Sequence, residues 1–283
     1  MYHTFCIARR LTPIESRRYF NSLKIYSKRT ESKLFPIKKT KTYMMIPKNK
    51  KGIIWHFKSS NNGDGFSYYS IEAKINPKVF SGIGCYVAVS TEEDLERINT
   101  AFQNECREIF EISHTLNDFD LRRIDYCINF DVKDSGLEPD KVIQLIKRAD
   151  KPARFDVWEK YHKKSGRKKP GEFSYYLIND SLHINCYYKY KQLENEFSDY
   201  TEIESSRHII RFEIQMLPQK VYQMKKSIEQ PENINEALLS DDYCMEMLLK
   251  YYKKTIGFGN YTTLNNAIKT VEASDYKPNR KQK

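Results

Sequence analysis

The sequence predicts an α+β fold with a mainly antiparallel central sheet, helices on one face of it, and further helices at the C-terminus. Three observations carry this expectation. Segments with apolar residues at period two alternate with segments at helical spacing. Two of the period-two runs, Phe173 to Ile178 and Leu182 to Tyr190, are joined by a short hairpin turned by Asn179-Asp180. The order strand, helix, strand, helix, hairpin, strand, helices suits an antiparallel sheet better than a parallel one.

In chain order, the first element is a basic helix around Pro13 to Lys28, followed by strands or loops whose order the pattern leaves open. Residues 60–65, SNNGDG, signal a turn. In Phe66 to Asn76, Tyr69, Ile71, Ala73 and Ile75 share one face, and Pro77 ends the strand. Thr91, with Glu92, Glu93 and Asp94 behind it, caps a helix that runs through Leu95, Ile98, Phe102, Cys106 and Ile109. Leu121 to Val132 follows as a strand, and a short helix near Pro139 carries Val142, Ile143, Leu145 and Ile146. The hairpin pairs Phe173 to Ile178 with Leu182 to Tyr190, and Ile209 to Met216 is another strand. Pro218 fits the first position of the next helix. Two helices, Ile234 to Thr255 and Tyr261 to Ala273, complete the chain. No internal repeat is visible. The division expected is a basic region 1–62 adjoining or joining the core, a core 63–230, a helical region 231–275 and a basic tail 276–283.

Composition narrows the partners. The chain has 283 residues, a net charge of +11 and 40% hydrophobic residues, so it buries a substantial core and favours a polyanion. Fifteen Lys and Arg against two acids, Glu15 and Glu31, stand between Met1 and Ser60. A second cluster holds Lys160, Lys163, Lys164, Arg167, Lys168 and Lys169, and the tail from Lys277 is also basic. No apolar run approaches the roughly 18 residues of a membrane span, and Arg9 and Arg10 break the only short apolar stretch near the N-terminus. The six cysteines form no CxxC pair, which argues against a zinc ribbon or disulfide framework and for a reducing cytoplasm.

Three strands carry charge that packing does not require. In Arg122–Asp131, parity sets Ile124, Tyr126, Ile128 and Phe130 on one face and Arg123, Asp125, Cys127, Asn129 and Asp131 on the other. In Ile209–Met216, Arg211, Glu213 and Gln215 oppose the apolar set. In Leu182–Lys189, one face carries His183, Asn185, Tyr187 and Lys189. Each strand alone is also what the solvated face of a one-sided sheet looks like. If the strands are adjacent, however, Asp125, Glu213, His183 and Asn185 gather into an oxygen-rich site suited to Mg²⁺ or Mn²⁺. Tyr222 lies nine residues after Glu213, with Lys225 and Lys226 on its helix face. Cations of this kind favour the phenolate that attack on a phosphodiester requires.

Four stretches in order, IEAKINPKVFSG (Ile71 to Gly82), RRIDYCINFD (Arg122 to Asp131), HINCYYKYKQLE (His183 to Glu194) and IIRFEIQMLPQKVY (Ile209 to Tyr222), resemble the rolling-circle replication initiators. That group spans Rep-trans plasmid initiators, related conjugative relaxases and phage gene II-like replication proteins. The resemblance implies a core like that of the HUH endonucleases and RRM domains. It matches Asp125 to the strand-borne acid, Tyr187 and Lys189 to a Tyr-x-Lys element, Glu213 to the Arg-Phe-Glu glutamate and Tyr222 to the nicking tyrosine. It implies metal-dependent nicking of one DNA strand at an origin, a 5′-phosphotyrosine intermediate and a host helicase as partner. Gln192 stands where the family often has Glu, and Glu194 is the nearest acid, so the remaining metal ligand is open among His183, Asn185 and Glu194. The expected DNA contacts are Lys163, Lys164, Arg167, Lys168, Lys169, Arg211, Lys225 and Lys226. A conjugative relaxase, a non-catalytic DNA-binding protein on the same fold, and a homodimer stay open alternatives.

Overall fold

In the computed structural model, the described residues are 1–38, 40–48, 50–61, 67–148, 152–162, 167–196, 200–228 and 234–256. Strand β1 (Tyr2–Leu11) leads through the N-cap Thr12 into α1 (Pro13–Thr30). Thr12 and Glu15 satisfy each other's backbone N–H groups in a capping box, with Pro13 in the first turn. Strands β2 (Lys33–Pro36), β3 (Thr42–Ile46), β4 (Ile53–Asn61) and β5 (Ser67–Ile75) follow as a meander. Asn76 and Pro77 then stop β5 and start the one-turn helix α2 (Pro77–Phe80). A second capping box, Thr91 with Asp94, opens the turn before α3 (Leu95–Phe110).

Strand β6 (Asp120–Asp131), helix α4 (Pro139–Ile146) and strand β7 (Asp156–Val157) come next, then the ribbon β8 (Glu159–His162) and β9 (Arg167–Pro170). The hairpin of β10 (Ser174–Ile178) and β11 (Leu182–Tyr188) turns where the Asn179 side-chain oxygen accepts from the N–H groups of Ser181 and Leu182, both at 2.9 Å. Helices α5 (Lys189–Glu196) and α6 (Tyr200–Ser205) lead to β12 (Ile209–Met216), and α7 (Pro218–Lys226), α8 (Ile234–Leu239) and α9 (Asp241–Thr255) follow.

Ten strands form one sheet, in the order β2-β3-β4-β5-β1-β6-β12-β11-β10-β7, with every pairing antiparallel. This is the α+β architecture with an antiparallel sheet. β1 sits between β5 and β6, and the boundary at residue 62 falls between the paired strands β4 and β5. Residues 1–62 and the core therefore share one sheet.

The register puts Phe5, Ile7, Ala73, Ile75, Trp55, Ile124, Tyr126, Phe212 and Ile214 on one face. Helices cover it. Trp55 meets Phe102 and Phe110 of α3 at ring distances of 5.8 and 5.1 Å, Phe57 stacks on Phe20 of α1, and Phe212 meets Tyr252 of α9 edge-on. The Tyr126 hydroxyl donates to Leu238 O of α8 at 2.8 Å. Val221 and Met224 fix α7 in the same core.

Two expected elements end differently. β11 stops at Tyr188, and Lys189 and Tyr190 begin α5, where Lys189 donates to Gln192 one turn on. The helix expected over Ile234 to Thr255 is two helices, because Ser240 in extended backbone caps α9 by accepting from Tyr243 N–H. The helix expected over Tyr261 to Ala273 lies outside the described residues.

Candidate functional site

The sheet face away from the main helical layer is polar at its centre, and cross-strand pairing orders it into rows. Thr4, Asp125, Gln215 and His183 form one row; Cys127, Glu213, Asn185 and Tyr176 the next; Asn129, Arg211, Tyr187 and Ser174 the third. Asp125 and Glu213 are thus diagonal neighbours on the adjacent strands β6 and β12. Both open into a cleft of about 1290 Å³, bordered by α4, α5 and the β10–β11 hairpin.

Each carboxylate is held by named groups. Arg123, two residues along β6, grips both oxygens of Asp125 at 2.7 and 2.8 Å. Glu213 accepts from the Tyr187 hydroxyl at 3.2 Å and from the Gln215 amide at 2.8 Å. Burial pushes the Asp125 carboxyl up to about 6, Arg123 works against that rise, and the Glu213 charge adds to it. Burial, with Glu213 next to it, also raises the Tyr187 phenol well above its ordinary value. Lys189 is 1% exposed and donates to Gln192 at 2.7 Å. Lys74 and Arg123 line the same cleft, so cations outnumber acids around the carboxylate pair.

The sequence reading missed His3. Its Nδ1 lies 4.0 Å from Glu213 Oε2, and its Nε2 lies 3.2 Å from Tyr86 O and 3.1 Å from Asn76 Nδ2. Burial, aided by Arg211 and Lys189, pushes it well below the usual imidazole range, so the ring is neutral. The signal was there only as a lone histidine in a strand buried along nearly all its length.

Asp125, Glu213, Asn185, Tyr187 and Lys189 all line the cleft. The other expected residues are placed elsewhere. His183 is held by the Tyr176 hydroxyl at 3.1 Å on the far side of Gln215. Glu194 is exposed and pairs with Lys191. Tyr222 is 59% exposed on α7, no residue of which lines the cleft. The Lys226 ammonium lies 4.6 Å from the Tyr222 ring centre, whereas Lys225 turns to Asp120.

Arg211 corrects the expectation of a DNA contact. It is fully buried, donating from Nε to Asn129 Oδ1 at 2.8 Å and from Nη2 to Val87 O, and so ties a loop to the sheet. Lys163 and Lys164 lie outside the described residues. Arg167, Lys168 and Lys169 belong to β9 of the separate ribbon.

Among the described residues, no group of three or more His, Cys, Asp and Glu is placed to hold a metal ion. An amide oxygen completes a different set. Asn185 Oδ1, directly across from Glu213, is buried with no hydrogen-bond partner among the described residues. With Asp125 and Glu213 it makes an all-oxygen donor set of the type that Mg²⁺ or Mn²⁺ takes.

No protein-family model matches the chain, and no curated relative does. Among solved structures, the chain is similar to a rolling circle replication initiator protein from Geobacillus stearothermophilus, with a TM-score of 0.45 and 10% identity over 93% of this chain and 88% of that one.

Proposed function

We propose that this protein is a site-specific single-strand DNA endonuclease and strand transferase that initiates rolling-circle replication. The observation that carries the reading is the buried pair Asp125 and Glu213 at the floor of a cation-lined cleft. Paired carboxylates among lysines and arginines suit a phosphodiester, whose charge the cations attract and whose cleavage the carboxylates assist through a metal. Asp125, Glu213 and Asn185 would hold Mg²⁺ or Mn²⁺, which when bound polarises the scissile phosphate. Arg123, which holds both Asp125 oxygens, would have to release at least one of them for Asp125 to serve as a ligand.

The reading assigns the nucleophile to Tyr222. Its oxygen attacks phosphorus, the 3′ oxygen departs as a free 3′-OH, and the protein stays on the 5′ phosphate. Tyr187, the tyrosine nearest the carboxylates, is the poorer candidate because burial holds its proton and Glu213 already takes its hydroxyl. β12 joins the two only along the chain: Glu213 and Gln215 face the cleft, and Met216 leads through Leu217 into α7, which packs on the helix-covered core through Val221 and Met224. Lys163, Lys164, Arg167, Lys168 and Lys169 extend the contact along the strand.

The test is nicking of supercoiled plasmid carrying the DNA that flanks the gene, with Mg²⁺, Mn²⁺ or EDTA, followed by peptide mapping of the covalent adduct. Wild type should relax the plasmid and carry label on Tyr222, and Tyr222→Phe should bind DNA but neither nick nor attach. Label on Tyr187 or Tyr188 would move the nucleophile into the cleft. Binding without nicking would leave a DNA-binding protein.

A further inference from the structure

The chain has two tryptophans, and they differ in kind. Trp55 is fully buried in the helix-covered core. Trp158 is 42% exposed and lies on the wall of the cleft that holds Asp125 and Glu213. Nothing in the packing of a sheet edge requires an open indole there.

The ring is held from behind. The Trp158 backbone N–H donates to the Tyr176 carbonyl at 2.8 Å, and the indole meets the Tyr176 ring edge-on at 5.6 Å and 79°. The Tyr176 hydroxyl contacts His183 at 3.1 Å and Gln215 at 3.4 Å, and Gln215 donates to Glu213. The indole is therefore positioned by the same network that orients the Glu213 carboxylate. Of the other aromatic residues lining the cleft, Phe173 lies under Lys191, Tyr187 under Lys189, and Tyr188 stacks on Tyr190. No cation lies over Trp158 among the described residues.

We propose that Trp158 is a stacking platform for one unpaired nucleobase of a single-stranded nucleic acid whose backbone enters the cleft. The inference rests on the nucleic-acid reading above and adds the residue that reads an unpaired base. Charge complementarity selects the occupant. Lys74, Arg123, Lys147 and Lys189 line the cleft with Trp158, and an aromatic face beside cations fits a base joined to a phosphate. A duplex offers no free base face, because each is stacked on its neighbours, so the strand must be unpaired.

The experiment compares wild type, Trp158→Ala and Trp158→Phe against a twelve-residue oligothymidylate and an abasic strand of equal length, by fluorescence anisotropy. In parallel, iodide quenching of wild-type tryptophan emission reports Trp158, since Trp55 is shielded. Wild type should prefer the thymidylate, and Trp158→Ala should lose that preference with an affinity drop of roughly tenfold or more. Trp158→Phe should keep most of it. The thymidylate, and not the abasic strand, should shield Trp158 from iodide. If wild type binds both strands equally, or if Trp158→Ala matches wild type, the platform is overturned while DNA binding stands. If wild type binds neither strand, the nucleic-acid reading falls and the platform with it. Should Trp158→Ala fail to fold, the iodide measurement on wild type decides alone.

Discussion

Arg211 separates two roles that the sequence could not. As a DNA contact it would add to the salt dependence of binding; as an internal tie it would add to stability. The guanidinium is fully buried and makes two hydrogen bonds, to Asn129 Oδ1 and Val87 O. Arg211→Lys keeps the charge but reaches only one of those acceptors, and a bond to a charged donor is worth roughly 1.5–3 kcal/mol. Arg211→Met strands Asn129 Oδ1, while Val87 O keeps the Asn129 amide, and removes a cation from beside Glu213, for a cost of about 3–5 kcal/mol. Urea unfolding should therefore rank wild type above Arg211→Lys and Arg211→Met last. The slope of log affinity against log salt, measured at low temperature on the folded fraction, should not change. Each phosphate contact contributes about 0.7–0.9 to that slope. An Arg211→Met variant with wild-type stability and a slope flattened by that amount would refute the buried-tie account.

Other perturbations have equally direct readouts. Asp125 stands at about 6 in the fold against an ordinary value of 3.8, so between those values the native state holds a proton that the unfolded chain has released. Stability should then fall as pH rises through that window, by on the order of 3 kcal/mol in all. Urea titrations in EDTA should show Asp125→Asn gaining that amount on wild type between pH 4 and pH 7, and parallel curves would contradict the burial. Lys50 Nζ lies 3.4 Å from the fully buried Glu105. Lys50→Met should cost about 3 kcal/mol by leaving that carboxylate unpaired, and adding Glu105→Gln should restore most of it. Replacing Lys163, Lys164, Arg167, Lys168 and Lys169 with Ala should flatten the salt slope for single-stranded DNA by about 3.5, at about 0.7 per lost contact. An unchanged slope would show that these residues meet no phosphate.

Local chemistry was legible wherever one residue type settles the backbone. Pro218 opens α7 and Asn179 turns the hairpin. The parity of Arg123, Asp125 and Glu213 survives because β6 and β12 each have one strictly apolar face. Strand β1 was not legible. Nearly every residue from Tyr2 to Ile7 is buried, since the strand has helices on one side and the cleft on the other. That erases the alternation on which a strand assignment depends. With β1 unassigned, His3 could not be placed beside Glu213. Arg211 misled for the opposite reason. Parity correctly aimed it away from the apolar core, but parity cannot say that the loop carrying Val87 would cover it. Tyr222 depends on how a helix returns over a strand end, a long-range relation that nine residues of spacing do not fix.

The partners of the two carboxylates argue that the polar face exists for something other than stability. A buried ion pair seldom improves on well-packed apolar residues, and the helix-covered face already supplies a core. A structural salt bridge would give each acid its own cation, as Arg123 does for Asp125. Glu213 is instead held by Tyr187 and Gln215, with the neutral His3 ring beside it. Uncharged donors fix the direction of a carboxylate without neutralising it. Asn185 Oδ1, buried opposite, has no hydrogen-bond partner among the described residues. A negative charge oriented but not cancelled, next to an unused acceptor and ringed by cations at the edge of a cleft, is costly in the free protein. Under the proposed function, a metal bound to a phosphodiester would remove that cost, satisfying the oxygens through the cation and the surrounding lysines and arginines through the phosphate.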